Sequence, residues 1–351
     1  MRILHVMASR ANGGAETYSA DMMESLHRAG IDQLAVIPRA SMHHARLEAA
    51  GLRLGSEVLD ARLGLVRWRR LAALIETEKP DLVHCWMRRA ASLMPRLDVP
   101  VIGWFGGYYD PARFRPCSHF VGVTPGIVAH MVANGVPSER AHYVPTFPTI
   151  DDGPAVDRAA LGAPGAATAL LALSRLHEKK GLDVLLRALA DLPGCVAWIA
   201  GDGPLEADLK GLAAKLGVAD RARFLGWRSD RGALLKAADI CVLPSRYEPF
   251  GTVMLEAWAT GVPLVAAASQ GPKDLIADGG NGLLVPVDDA PALAAAIRRL
   301  QGDAALRAHL IERGRADYQQ GYTREAVTAR MLSLYRQIIA EGRVGRARAR
   351  T

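Results

Sequence analysis

Two glutamates with seven residues between them, Glu248 and Glu256, bracket the stretch ICVLPSRYEPFGTVMLEAWATG at positions 240–261. The apolar run Ile240–Leu243 suits a buried parallel strand, Pro244 to Phe250 a polar loop, and the Ala, Leu, Met and Glu content of Gly251–Thr260 a helix. At such a helix start the amides of Gly251, Thr252 and Val253 lack intrahelical partners, and amides of that kind attract phosphate. Glu256 stands roughly 7–8 Å further along the axis. A diphosphate on the amides would lay a ribose against Glu256 and swing a sugar toward Glu248, which is the shape of a nucleotide sugar. A glutamate pair at this spacing also arises by chance on any helix-rich surface, so the pair needs its context.

Cations supply part of that context. Ser174-Arg175-Leu-His-Glu-Lys-Lys180-Gly181 follows a strand at Ala169–Leu173 and precedes a helix at Leu182–Leu189. Arg175 would hold a diphosphate in a bidentate fork and Lys180 as a point charge, although a basic surface loop has the same composition. No Asp-x-Asp occurs in the chain, so the carboxylate pair that holds a metal-bound diphosphate is missing. The expectation is that protein cations and amides meet the phosphate charge, with no metal and no cofactor beyond the nucleotide sugar as co-substrate.

At these residues the chain resembles the retaining GT-B glycosyltransferases of family 4, whose E-x-F-G-x-x-x-x-E signature stands here as Glu248-Pro-Phe-Gly-Thr-Val-Met-Leu-Glu256. Arg175 and Lys180, with four residues between them and Gly181 next, match the R-x4-K-G spacing of that family. Gly201-Asp-Gly-Pro204, Phe224-Leu-Gly-Trp227 and Gly280-Asn-Gly-Leu-Leu-Val285 match further, with Asp274 where Glu is common. The resemblance covers essentially the whole chain, most closely from 170 to 286. It implies two Rossmann-like βαβ domains with a cleft between them, and it assigns Glu248, Arg175 and Lys180 to catalysis. Phe250, Gly251, Thr252, Glu256 and Trp227, the last beside the base, would bind the donor. Asn12-Gly13-Gly14-Ala15-Glu16 occupies the place of a family loop that faces the donor phosphates, so Gly13 and Gly14 join them, a plain tight turn being the alternative.

On the acceptor side the chain departs from the pattern. Where many relatives carry a histidine reaching the transferred sugar, Trp104, Phe105, Gly106 and Gly107 stand. This puts a histidine-assisted mechanism in doubt and nominates Trp86, Trp104, Gly106 and Tyr108 as acceptor-side residues. His84 and Trp86, at the end of the strand Asp81–Trp86, are expected beside the cleft, although a structural role for a lone histidine is the plainer reading. Tyr108 and Tyr109 read equally well as ordinary half-buried aromatics.

Composition sets the bounds. A chain of 351 residues, half of them hydrophobic, exceeds the size at which one core stops growing, so two domains are expected. Its apolar runs are far short of the ~20 residues of a membrane span. MRILHVMASR lacks the longer apolar region and cleavage site of a secretory signal, which points to a chain beginning near Met1 in the cytoplasm. Cys85, Cys117, Cys195 and Cys241 form no C-x-x-C pair and read as buried small hydrophobes without disulfides or zinc. Of the net charge of +7, Arg343, Arg346, Arg348 and Arg350 in an acid-free tail carry more than half. No nucleic-acid-binding pattern accompanies them. An anionic membrane surface is the more economical partner, and residues 62–75, with Arg67, Trp68, Arg69 and Arg70 among leucines, suit either a headgroup boundary or an ordinary packed helix with snorkelling arginines.

Stepwise alternation of short apolar runs and helical stretches predicts βα units built twice. The first domain is expected at 1–148, with strands at Arg2–Ala8, Gln33–Ile37, Arg53–Leu59, Asp81–Trp86, Pro100–Trp104 and His119–Val123. A proline- and aspartate-rich linker follows at 149–166. The donor domain spans 167–321, with strands at Ala169–Leu173, Val196–Ala200, Ala222–Gly226, Ile240–Leu243, Val262–Ala267 and Gly282–Val285 and a closing helix at about 291–319. The resemblance implies a last helix at 322–342 that crosses back to the first domain, Thr323 fitting its N-cap, before the basic tail 343–351.

The resulting expectation is a cytoplasmic, metal-independent, retaining transferase that moves a hexose-type sugar from a UDP- or GDP-sugar to a hydroxyl. Glu248 would hold sugar hydroxyls, without acting as a nucleophile, and Glu256 the ribose. The acceptor is expected to be a glycan or glycolipid of lipopolysaccharide or another cell-envelope polymer, the enzyme lying peripherally on the inner membrane face. A soluble synthase of a small glycoside or sugar phosphate, a GT-B nucleotide-sugar epimerase and a non-catalytic nucleotide-sugar sensor remain as alternatives.

Overall fold

The computed structural model describes residues 1–11, 13–60, 64–163 and 165–348. The chain forms two compact units, one of Met1–Phe147 with the C-terminal segment from Arg324, the other of Pro148–Thr323. Each is a Rossmann-like layer of parallel strands with helices packed on it.

In the first unit the strands are β1 (Arg2–Met7), β2 (Asp32–Val36), β3 (Arg53–Leu54), β4 (Leu82–Trp86), β5 (Val101–Phe105), β6 (His119–Gly122) and β7 (Ala141–Tyr143), in the order β3-β2-β1-β4-β5-β6-β7. All pairs are parallel. Parallel sheets are covered on both faces, which is why β1, β4 and β5 are buried almost throughout and read as continuous apolar runs. Helix Gly14–Arg28 buries Tyr18, Met22, Met23 and Leu26. The long helix Arg324–Arg348 buries Val327, Met331, Tyr335 and Ile338, spaced three or four apart on one face, with Leu334 beside them. Arg324 fastens its start, donating to the Asp21 carbonyl (3.2 Å) and the Ser25 hydroxyl (2.9 Å) of helix Gly14–Arg28.

The second unit holds β8 (Thr168–Leu173), β9 (Cys195–Ala200), β10 (Ala222–Gly226), β11 (Ile240–Leu243), β12 (Leu264–Ala267) and β13 (Leu283–Val285), in the order β10-β9-β8-β11-β12-β13. The order reverses between β8 and β11, which pair through Leu170–Ile240 and Leu171–Cys241. A parallel sheet leaves its ligand crevice at such a switch point, at the carboxyl ends of the two strands. The loops that follow β8 and β11 are the two that carry the suspected cations and carboxylates.

Several elements differ from the sequence reading. The strand expected over Arg53–Leu59 stops at Leu54, and Glu57–Asp60 is a helical turn, because the Gly55 amide makes the last bond to β2 and Ser56-Glu57 then leaves the sheet. The helix expected over 291–319 is two helices, Ala290–Gly302 and Ala304–Gly321, since the Asp303 carboxylate accepts from the Leu306 amide (2.8 Å) and starts a new helix there. The three-residue β7, only half buried, carries too short a pattern to be foreseen. The last helix continues through Arg348, past the expected start of the tail at 343, while Arg350 lies outside the described residues. Arg62 and Pro164 lie outside them as well, so the basic helix of the 62–75 stretch is described from Gly64 to Glu78. All four cysteines are buried and free. Among the described residues no helix is long and apolar enough to cross a membrane.

The segment read as a linker is fastened to the second unit. Asp151 accepts from the amides of Gly232 (2.6 Å) and Ala233 (3.2 Å), and Arg158 forms a forked pair with Asp239 at 3.1 and 2.8 Å.

Candidate active site

The site grows from the switch point. Beyond β11 the chain turns through Pro244–Phe250 and enters helix Thr252–Thr260 at Gly251, whose φ of +92° only glycine adopts without strain. The amides of Thr252 and Val253 stand at the helix start without intrahelical acceptors. A second glycine holds the loop from outside. The Gly271 amide donates to the Glu248 carbonyl (2.7 Å), and a Cβ there would collide with the Phe250 carbonyl oxygen and lie 2.8 Å from that of Glu248. Phe250 is itself buried, so what it lends the site is backbone and packing.

The loop after β8 is stitched onto the same corner. The Tyr247 amide donates to the Lys179 carbonyl (3.1 Å), and Arg246 forks onto Asp183 at 2.8 and 2.7 Å. With the loops so fixed, Lys180 Nζ reaches Glu248 Oε2 at 2.6 Å, both side chains largely shielded from solvent. The structure thus pairs two residues assigned separate partners from sequence, the phosphate for one and the sugar for the other. Arg175 is exposed. Trp227, directly after β10, is 68 % exposed, an open ring face at the carboxyl end of an edge strand.

Glu256 is 1 % exposed, on the helix that begins at Thr252. Arg231 Nη1 approaches its Oε1 at 2.8 Å but outside hydrogen-bond geometry, and neither carboxylate oxygen has a hydrogen bond. Burial pushes this carboxyl above its ordinary range; Arg231 pulls it back down and Asp151 pushes it up again. Arg231 and Asp151 escaped the sequence reading, the first as a charge in a polar run, the second as linker. The one available signal was Gly232 after Arg231: a Cβ there would strike the Asp151 carbonyl oxygen, so the glycine marks a close approach of backbone.

In the first unit Gly13 caps helix Gly14–Arg28, but its amide donates to Glu16 Oε2 (3.1 Å), and Ser9 Oγ binds Glu16 Oε1 at 2.5 Å. The glycine loop is therefore tied by its own carboxylate, while Gly14 has open space around it. The aromatic acceptor wall needs correction. Trp86 is fully buried, stacked on His84 at 4.0 Å between ring centroids and donating Nε1–H to His5 Nδ1 (3.2 Å). Trp104 is buried against Tyr18, its ring over Gly106, where a Cβ would run into it. Both lie on interior strands whose two faces are covered, so neither ring is a contact surface. His84 is buried too, its Nδ1 2.5 Å from the Tyr335 hydroxyl. Of the four nominated residues Gly106 and Tyr108 keep partial exposure, Tyr108 edge-on to His130. Among the described residues no three His, Cys, Asp or Glu side chains are grouped to hold a metal ion.

Two family models match the chain in succession: glycosyltransferase family 4 over residues 12–148 and glycosyl transferases group 1 over residues 155–317. The lipopolysaccharide core biosynthesis glycosyltransferase LpsE of Rhizobium meliloti (strain 1021) is 34 % identical over 95 % of this chain and 98 % of its own. This chain belongs to the group 1, family 4 glycosyltransferases. LpsD of the same organism, another lipopolysaccharide core biosynthesis glycosyltransferase, is 30 % identical over 97 % of this chain and all of its own. Among solved structures, Anabaena HepE in complex with UDP superposes with a TM-score of 0.83 over 96 % of this chain and 100 % of its own at 20 % identity, a likeness of fold. HepE is also known with UDP-glucose. The GT-B glycosyltransferase fold and the transferase activity read from sequence are thereby established for this chain.

Proposed function

We propose that this glycosyltransferase moves a sugar from a UDP- or GDP-sugar to a hydroxyl of a glycan or glycolipid, with retention at the anomeric carbon and without a metal ion, in lipopolysaccharide core assembly. The observation that carries the donor reading is Glu256: a buried carboxylate with both oxygens free of hydrogen bonds, on the helix that starts just after Glu248, the partner of Lys180. A vicinal diol is the group that such a carboxylate accepts from twice. The names of LpsE and LpsD support the lipopolysaccharide core, and the ligands of HepE support UDP.

In the reaction the acceptor oxygen bonds to the anomeric carbon as the bond from that carbon to the diphosphate oxygen breaks. The acceptor proton passes to a phosphate oxygen, and the glycoside and nucleoside diphosphate leave. Charge developing on the diphosphate is met by Arg175, Lys180 and the amides of Gly251 and Thr252. Glu248 then exchanges its contact with Lys180 for the sugar hydroxyls. Trp227 offers a face for the base.

On helix Gly64–Glu78 the inward residues are Leu71 and Ile75, while Leu65 (62 %) and Trp68 (42 %) are exposed beside Arg69. That face supports peripheral contact with an anionic membrane from the cytoplasmic side. The test is transfer from a panel of UDP- and GDP-sugars to lipopolysaccharide core acceptors with EDTA present, the product anomer read by NMR. Retention with activity in EDTA bears the reading out; inversion, or activity abolished by EDTA and restored by a divalent cation, removes those parts of it. For the membrane, equal pelleting with neutral and anionic vesicles sinks the contact.

A further inference from the structure

We propose that Arg231 is the positioning residue of the ribose grip, holding the Glu256 carboxylate aimed and ionised so that it accepts both hydroxyls of the nucleotide's ribose. The inference rests on the reading of Glu256 as the ribose carboxylate. Arg231 is the first residue of helix Arg231–Ala237, and its guanidinium makes the one ion pair to Glu256 among the described residues. Its contact lies outside hydrogen-bond geometry, so the charge is balanced while the acceptor directions of both oxygens are left to a ligand.

Arg231 is in turn held from behind. Its Nη2 reaches the Thr149 carbonyl at 3.5 Å, and Asp151 takes the next two amides, those of Gly232 and Ala233. The groups facing Glu256 are therefore Arg231, Asp151 and the thiol of Cys241, which burial keeps protonated. With Arg231 gone, burial and the Asp151 charge both favour the neutral acid. A neutral acid keeps only one good acceptor oxygen, so the diol loses a bond and the grip becomes sensitive to pH. The sign follows: the carboxyl titrates at a higher pH in the variant, and binding is lost as pH falls through it.

The experiment is calorimetric titration of the full chain with UDP and 2′-deoxy-UDP, and with GDP and 2′-deoxy-GDP, from pH 5.5 to 8.5. The proteins are wild type, Arg231→Met, Arg231→Lys and Glu256→Gln, with thermal melts to establish folding. The wild type is expected to prefer the ribonucleotide by about tenfold, the scale of a hydrogen bond to a charged group. Glu256→Gln loses that preference. Arg231→Met loses it toward acid pH and regains it toward alkaline pH, a profile that a merely structural role would not produce, and Arg231→Lys keeps most of it. Arg231→Met with the wild-type preference and pH profile, alongside a Glu256→Gln that has lost the preference, overturns this inference and leaves the reading of Glu256 standing. A wild type that binds but does not discriminate overturns both, as does one that binds neither nucleotide.

Discussion

Lowering the pH should unlatch the first sheet through His5. The ring is fully buried on β1, in register with His84 on β4, and its Nδ1 accepts from Trp86 Nε1 (3.2 Å) while Nε2 has no hydrogen bond. Burial depresses its pKa to about 3, nearby Gln33 offsetting only part of the cost of charging it. The unfolded chain binds that proton near pH 6.5. A group whose folded pKa is depressed in this way stabilises fully above pH 6.5 and loses its contribution as pH falls toward 3. At pH 5 the loss is RT ln(1 + 10^1.5), about 2 kcal/mol, or a factor of about 30 in an opening equilibrium.

His84 is pushed down by its own burial, and by His5, and adds in the same direction. A difference between proteins therefore isolates the His5 share. The comparison is wild type against His5→Gln, whose side-chain oxygen still accepts from Trp86. The assay is amide hydrogen exchange in peptides covering β1 and β4, corrected for the intrinsic effect of pH, since two units need not open together. From pH 7.5 to pH 5 the wild type should lose about 30-fold more protection than the variant. Equal losses in both proteins would refute the reasoning, because they would mean that the ring is charged in the folded state or never charged in the open one.

Three further outcomes separate the site from its scaffold. Gly271→Ala forces a Cβ against the carbonyl oxygens of Phe250 and Glu248; strain of about 1–3 kcal/mol and a displaced Glu248 should lower turnover well before the fold fails, and wild-type kinetics would show the loop to be indifferent to that contact. Lys180→Ala removes both the partner of Glu248 and a cation for the leaving diphosphate; turnover should fall by about 10²–10³ with thermal stability little changed, and a loss under threefold would take Lys180 out of the chemistry. Asp303→Ala removes the cap of helix Ala304–Gly321 at a cost of about 1 kcal/mol; thermal melts should fall by about 2–4 °C with turnover unchanged, whereas a matching drop in turnover would tie that helix to the site.

Much of this molecule is local and therefore legible in the chain. Short apolar runs spaced by helical stretches determined two parallel sheets, since strands buried on both faces must be apolar throughout. The run from Ile240 to Thr260 determined a strand, a loop and a helix, because Gly251 can take the left-handed turn that begins the helix. Cys85, Cys195 and Cys241, in or beside apolar runs, were bound to be buried. What tertiary structure decided are facts of approach between segments far apart in sequence. Lys180 and Glu248 touch because the sheet order reverses between β8 and β11, and no spacing records which loops a reversal brings together. Trp86 and Trp104 looked like a binding wall, yet β4 and β5 are interior strands, and a strand does not announce whether its face will be covered. Asp151 read as linker, and Arg231 drew no reading at all. The close packing of Gly232 against the Asp151 backbone is part of what seats the helix Arg231–Ala237, and on it Arg231 forms an ion pair with Glu256 where that carboxylate is buried.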